Sequence, residues 1–120
     1  MLINITNHPL DKWTSKQCTE AKQLFGTIVD IPFPNIDPTV DEQYIASLAD
    51  DYLGKILTLA GKDQITVHLM GEMTFTYALL SRLKQHGIPR VASTTQRIVE
   101  ERSNGEKVVQ FNFVRFRYYE

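Results

Sequence analysis

The chain has 120 residues, of which 42% are hydrophobic, and its formal net charge is −1. This length and apolar content predict one domain spanning residues 1–120, and the near-neutral charge argues against the broad basic surface of a general nucleic-acid-binding protein. The single cysteine, Cys18, excludes an intramolecular disulfide and is typical of a reducing compartment. We find neither a signal peptide nor an apolar run near the roughly 20 residues of a membrane span, so we expect a cytoplasmic protein.

The first part of the chain predicts a strand, a helix and a second strand. Residues 2–6 alternate apolar and polar side chains, and the Asn-His-Pro sequence at residues 7–9 ends this strand. Thr14 has the features of an N-cap for a helix over residues 15–25. Residues 27–33 then predict the second strand.

The next helix has the clearest periodic pattern, with one apolar stripe from Val40 to Leu57. Two residues could be its N-cap: Asp37, with Pro38 at the first helical position, or Thr39, with Glu42 closing a capping box. The third strand, residues 65–70, contains His68. A lone histidine in a buried parallel strand is most often a packed residue with one hydrogen bond, and we favour that interpretation.

The remaining elements complete an alternating pattern. Residues 71–74 open a third helix, residues 90–93 predict a fourth strand, and a polar loop at residues 93–97 follows it. Two β-rich runs joined by Asn104-Gly105 predict a hairpin with a type I′ turn. The last strand has apolar groups on both faces, which we expect the third helix and a second subunit to cover, so we predict a homodimer.

This order of elements predicts an α/β fold. We expect a Rossmann-like three-layer sandwich with a mostly parallel sheet and a C-terminal β-hairpin. The pattern does not determine the strand order. In such a sheet the loops after the parallel strands meet at one edge, which is where open α/β sheets bind ligands.

Two of these loops have residues suited to an anionic ligand. Gly71 precedes a helix N-terminus, whose backbone N–H groups can hold an anion, and residues 93–97 supply three hydroxyls, an amide and a guanidinium for phosphate or ribose. Simpler explanations also exist, because threonine is common in strands and Glu72 suits a helix start. His8 is the best-placed general acid or base, although ordering the turn at residues 7–9 accounts for it more simply.

Several common sites are not indicated by the sequence. There is no G-x-G-x-x-G after the first strand, no Walker lysine loop and no nucleophile elbow. The three histidines are dispersed, and Cys18 has no partner at metal-ligand spacing. We therefore expect no metal and no cofactor.

Three loops together resemble a known family. The sequences T-N-H-P after the first strand, G-E-M-T-F-T before an apolar helix and S-T-T-Q-R after the fourth strand resemble the loops of CRISPR-associated Rossmann fold (CARF) domains and of the related stand-alone ring nucleases of type III CRISPR antiviral defence loci. The resemblance covers most of the chain in topology. It implies a homodimer that binds a cyclic oligoadenylate across its two-fold axis. It also allows cleavage without metal, by attack of a ribose 2′-hydroxyl on the neighbouring phosphorus.

The resemblance also implies roles for individual residues. His8 would be an acid and Arg97 would stabilise developing charge. The ligand would be bound by Thr6, Asn7, Gly71, Glu72, Met73, Thr74, Ser93, Thr94, Thr95 and Gln96. The first loop has no basic residue before Lys12.

Two other function classes stay open. One is a small-molecule enzyme, such as a nucleoside-processing transferase or hydrolase, with Glu72 as its carboxylate. The other is a non-catalytic regulatory or interaction subunit that uses the last strand as its contact surface. The first predicts that Glu72→Gln abolishes turnover, and the second predicts that Phe113→Asp or Phe116→Asp breaks the assembly. The nucleotide-binding hypothesis instead predicts that Arg97→Ala abolishes ligand binding.

Overall fold

The computed structural model describes all residues from 1 to 120 and has an α/β architecture, as predicted. The elements are β1 (Leu2–Ile5), α1 (Ser15–Phe25), β2 (Ile28–Asp30), α2 (Glu42–Ala60), β3 (Thr66–Leu69), α3 (Met73–Gln85), β4 (Arg90–Glu101) and β5 (Lys107–Tyr118), with a 3₁₀ turn at Leu10–Lys12. The five strands form one sheet in the order β2-β1-β3-β4-β5. The pairs among β1 to β4 are parallel, and β5 is antiparallel to β4.

Helices pack against both faces of the sheet. Ile3 and Leu69 belong to the larger core, which contains the buried side chains of α2 and α3. Leu2 and Val91 belong to a smaller core on the opposite face with Ala21 of α1. Because strand side chains alternate between faces, β1 is buried on both sides, as is usual for parallel strands covered by helices. None of the helices combines the length and the hydropathy of a membrane-spanning segment.

The helix ends show where local signals are sufficient. Helix α1 begins and ends as predicted, with the Thr14 hydroxyl accepting a hydrogen bond from the Gln17 N–H. Both predicted caps of α2 are wrong, because Asp41 caps this helix by accepting from the Tyr44 N–H at 3.0 Å. Asp37 instead accepts from the backbone N–H and the hydroxyl of Thr39. These two bonds lower the pKa of Asp37, the backbone bond most.

Strand β2 is shorter than the predicted strand at residues 27–33, because pairing with β1 ends at Asp30. Residues 31–41 follow as an irregular segment held against α2 and α3. The Tyr52 hydroxyl donates to the Pro32 carbonyl at 2.7 Å, and the Phe33 ring packs edge-on against Phe75 at 5.3 Å.

The largest departure from the sequence prediction concerns residues 93–97. They are not a loop, because β4 runs without interruption to Glu101 and pairs with β5 along its whole length. A β-bulge between Thr94 and Thr95 adjusts the register. Threonine suits this position because β-branched residues are favoured in strands.

The predicted hairpin is present, but its turn is not type I′. Within the turn only Gly105 has positive φ (86°), so Asn104 does not adopt the left-handed conformation that a type I′ turn requires. The Gly105 N–H instead donates to the Arg102 carbonyl, and the Arg102 N–H donates to the Glu106 carbonyl. This is the pattern of a turn that ends in one left-handed glycine.

The hairpin projects from the sheet as a two-stranded arm, defined here as residues 92–117. Only Arg90 and Val91 of β4 pair with β3. The radius of gyration is 16.2 Å, against about 13.6 Å for a compact domain of this length. Helix α1, rather than the predicted α3, provides the main cover for β5, and the outer part of the arm has exposed apolar side chains, including Phe111 at 63%.

Candidate functional site

A cavity of about 510 Å³ lies at the carboxyl edge of the sheet. It is bounded by the segment between β1 and α1, the loop between β3 and α3, and the α1-facing side of the arm. Strands β1 and β3 are neighbours, but the helices that follow them pack on opposite faces. Ligands of open α/β sheets bind at such a topological switch point, and the volume is that of a small-molecule site.

The structure brings half of the sequence-predicted site residues together here. Thr6, Asn7, His8, Gly71, Ser93 and Thr95 line the cavity, whereas Glu72, Met73, Thr74, Thr94, Gln96 and Arg97 do not. The split within β4 follows from strand alternation, because Ser93 and Thr95 face α1 and Thr94 and Gln96 face the other way. Arg97 lies on the α1-facing side, opposite Phe111, next to the cavity.

The predicted residues outside the cavity have structural partners. The Thr94 hydroxyl bonds the backbone of Arg115 across the β-bulge. Glu72 is the N-cap of α3, and its carboxylate accepts from the backbone N–H groups of Phe75 and Thr74 and from the Thr74 hydroxyl. These bonds, with that from Phe75 first, lower the pKa of Glu72.

We expect Glu72→Ala to lower the free energy of unfolding by about 1 kcal/mol, the usual effect of losing an N-cap. Urea denaturation at neutral pH measures this. Glu20→Ala, which removes a partly exposed carboxylate from the interior of α1 with no cap role, is the matched control. Equal stability of the two variants would show that the cap contributes nothing.

Gly71 allows the loop after β3 to approach residues 31–41 closely. A Cβ atom at this position would overlap the ring of Phe33. Because Phe33 itself packs against Phe75, the ring cannot move aside without disturbing the larger core. The glycine is therefore required here by packing, whatever its contact with a ligand.

Eight residues that line the cavity were not predicted as site residues from the sequence: Lys12, Trp13, Thr14, Gln17, His68, Met70, Phe111 and Phe113. Those from Lys12 to Gln17 follow the β1 loop directly, so the predicted topology could have placed them near it. The two phenylalanines are part of the arm, and their position depends on the length of β4.

The electrostatics of the cavity favour an anion. Lys12 lines it, and no aspartate or glutamate does. The N-terminus of α1 also lies there, with Thr14 as its cap and no acidic residue in its first turn, so the helix dipole adds positive potential. No three His, Cys, Asp or Glu side chains are grouped to hold a metal ion.

A hydrogen-bonded network of buried polar side chains lies beneath the cavity. Asn4 Nδ2 donates to Asp30 Oδ1 at 2.8 Å and to the His8 carbonyl at 2.9 Å. Because these two partners can only accept, the amide must direct its Nδ2 at them. Its Oδ1 then lies 2.8 Å from His68 Nδ1. His68 Nδ1 must therefore have the hydrogen, and Nε2 has none. Burial lowers the pKa of His68 to about 4.

The same hydrogen-bonded network orders the segment after β1. The His8 carbonyl also accepts from the indole N–H of Trp13 at 2.9 Å, and Asp30 accepts from the Leu10 N–H. The Trp13 ring then packs edge-on against the His68 imidazole, with centroids 5.4 Å apart. His68 thus has the predicted packing role and one hydrogen bond, and it also lines the cavity.

Together the fold and the cavity define an α/β protein with a small-molecule-sized site at the carboxyl edge of a mostly parallel sheet. The family model described as the uncharacterized protein MJ1673 family matches residues 1–117, and the chain belongs to this family. No curated protein matches the chain.

Proposed function

We propose that this protein binds a nucleotide in the cavity, and that the ligand is a cyclic oligoadenylate held by a homodimer, as the resemblance to CARF domains implies. The proposal rests on one observation, the composition of the cavity wall. A lysine, hydroxyl groups and aromatic rings line it, and no carboxylate does. The strand order, with parallel neighbours β2, β1, β3 and β4, supports a Rossmann-like three-layer fold.

Each part of a nucleotide has a matching group. Lys12 and the N-terminus of α1 suit a phosphate. The hydroxyls of Ser93 and Thr95 suit ribose oxygens. Trp13 and Phe111 offer aromatic faces on which a base can stack.

The arm supports the homodimer. An isolated two-stranded hairpin is marginal in water, and this one exposes Val99, Val109 and Phe111 on its α1-facing side. A second copy that covers this side would bury the apolar surface and close the cavity. Arg97, on the same side, would then lie at the edge of the covered site.

The proposal extends to ring cleavage without metal. His8 lines the cavity and would protonate the leaving 5′-oxygen, and Arg97 next to the cavity would offset developing negative charge. The protein would hold the ribose 2′-hydroxyl in line with its neighbouring phosphorus. The bond from the 2′-oxygen to phosphorus would form as the bond from phosphorus to the 5′-oxygen breaks, the 2′-hydroxyl proton would pass to water, and the product would be a linear fragment with a 2′,3′-cyclic phosphate.

A thermal-shift screen tests the proposal, using cyclic tri-, tetra- and hexa-adenylate, AMP and adenosine without metal. A ligand at 100 times its dissociation constant should stabilise the fold by roughly 2.7 kcal/mol, or roughly 10 °C for a domain of this size. Trp13 is the only tryptophan, so its fluorescence reports binding independently. Analysis of the mixture for linear product separates a binder from a nuclease.

We expect Lys12→Gln to weaken the binding of the active cyclic species roughly tenfold, the usual effect of losing one charge-assisted contact. Lys16→Gln removes the same charge from an exposed position that does not line the cavity, and its affinity should match that of the wild type. A folded protein that responds to no cyclic species would rule out the proposal.

The two other function classes fare differently. The enzyme hypothesis based on Glu72 gains no support, because this carboxylate caps α3 and does not line the cavity. The interaction-subunit hypothesis is favoured by the exposed apolar side of the arm. It predicts that arm variants change the assembly while no nucleotide binds.

A further inference from the structure

One buried ring nitrogen of His68, a residue that lines the cavity, lacks a hydrogen-bond partner. His68 is 2% exposed, and its Nε2 receives no hydrogen bond from any protein group. A buried acceptor left unpaired costs roughly 1–3 kcal/mol, and nearly all buried polar groups are paired. This nitrogen therefore calls for a physical explanation.

The position of His68 connects this atom with the cavity. Across the sheet its register neighbours are Asn4 on β1 and Val91 on β4. One step closer to the carboxyl edge on the same face are Thr6, Met70 and Ser93, and all three line the cavity, as His68 does. The imidazole therefore lies one residue layer beneath these three side chains, which form the rim of the cavity.

The protein also fixes the chemical character of Nε2. The Asp30–Asn4 pair orients the Asn4 amide so that it accepts from His68 Nδ1. This leaves Nε2 as a hydrogen-bond acceptor in the neutral ring. Trp13 and Phe116, each edge-on at 5.4 Å, hold the ring in place.

We propose that Nε2 of His68 accepts a hydrogen bond from an O–H or N–H group of the ligand, and that this contact is a specificity determinant of the cavity. The inference rests on the proposed function, because it needs a ligand in this cavity. In a nucleotide the donor is either a ribose hydroxyl or the exocyclic amino group of adenine. The role of Nε2 is to accept a hydrogen bond and not to take up a proton, because burial lowers the pKa of this imidazole and makes it a weak base.

Two substitutions separate the role of Nε2 from simple packing. His68→Phe keeps an aromatic ring against Trp13 and Phe116 but has no acceptor. His68→Gln offers an amide oxygen near the position of Nε2. We expect the affinity for the cyclic adenylate that binds the wild type to fall roughly tenfold or more in His68→Phe and to be partly restored in His68→Gln. His86→Phe, at the end of α3, should leave the affinity unchanged.

Analogues of the bound cyclic adenylate identify the donor. The 2′-deoxy analogue lacks the hydroxyl, and the inosine analogue lacks the amino group. For the correct donor, removing it and substituting His68 together should weaken binding no more than either change alone. In the wild type, ¹⁵N NMR should show a hydrogen on Nδ1 and, upon ligand addition, a shift that is largest at Nε2.

The outcomes are distinguishable. If the wild type binds none of the probes, both the proposed function and this inference fail. If the wild type binds and a folded His68→Phe binds equally well, only this inference fails. If His68→Phe does not fold, the NMR titration decides, since a hydrogen on Nε2 or a shift confined to other histidines contradicts the inference.

Discussion

Phe116→Asp is expected to unfold the protein, whereas Phe111→Asp is expected to leave it folded and change its assembly. Phe116 is 4% exposed and packs against Phe25, His68 and Phe113 with centroid distances of 5.0 to 5.5 Å. Truncating such a ring costs about 3–5 kcal/mol, and a buried carboxylate adds a desolvation penalty. Since small domains have a stability of roughly 5–15 kcal/mol, this loss removes most or all of it.

Phe111 has the opposite environment on the same strand. Its side chain is 63% exposed and lies on the arm beyond the cover of α1, so a carboxylate there stays hydrated. The exposed apolar surface of the last strand therefore lies at Phe111 and not at Phe113 and Phe116, the positions chosen from the sequence to disrupt an assembly. Both are buried in the smaller core.

Circular dichroism melting and analytical ultracentrifugation measure these two effects. Gln110→Asp is the matched control for Phe111→Asp, because it adds the same charge to the opposite side of the arm. We expect the wild type and Gln110→Asp to be dimers and Phe111→Asp to be a folded monomer. A dimeric Phe111→Asp would refute the role of the arm, and a folded Phe116→Asp would refute its role in the core.

The helices could be predicted where their signals are local. The ends of α1 depend on Thr14 and Gly26, which are adjacent to it in sequence. The start of α2 could not be chosen the same way, because Asp37, Thr39 and Asp41 are all good capping residues. The cap at Asp41 accompanies a non-local contact, the bond from Tyr52 that holds Pro32 against the helix.

The arm shows the same limit on a larger scale. Whether residues 93–97 form a loop or a strand depends on their partners near residue 113, and pairing across that distance leaves no local pattern. The part of the cavity wall that the arm forms depends on this pairing. Ser93 and Thr95 could therefore be proposed from the sequence, but Phe111 could not.

His68 illustrates a third limit. Its burial was predictable from the apolar strand around it, but the strand pattern does not determine which face of the sheet it points to. Its role depends on Asn4 and Asp30, which come from two other strands. A buried network of this kind can be read only after the sheet is assembled.

We expect acid to destabilise the wild-type protein more than His68→Phe, by about 2 kcal/mol between pH 7 and pH 5. An unfolded histidine has a pKa of about 6.5, and burial lowers the pKa of folded His68 to about 4. Between these values the unfolded chain binds more protons than the folded one. The stability that the neutral imidazole provides is therefore complete above pH 6.5 and is lost as the pH falls toward 4.

Thermal melts of both proteins at the two pH values measure this difference, which corresponds to roughly 8 °C for a domain of this size. Glu72 and Asp37 also have lowered pKa values, so the stability that these two carboxylates provide is also lost in acid. Both are present in the two proteins, and their contributions cancel in the comparison. Phe113→Leu, which loosens the same core but retains His68, should keep the pH dependence of the wild type. Parallel pH profiles for the wild type and His68→Phe would mean that burial does not hold the imidazole neutral.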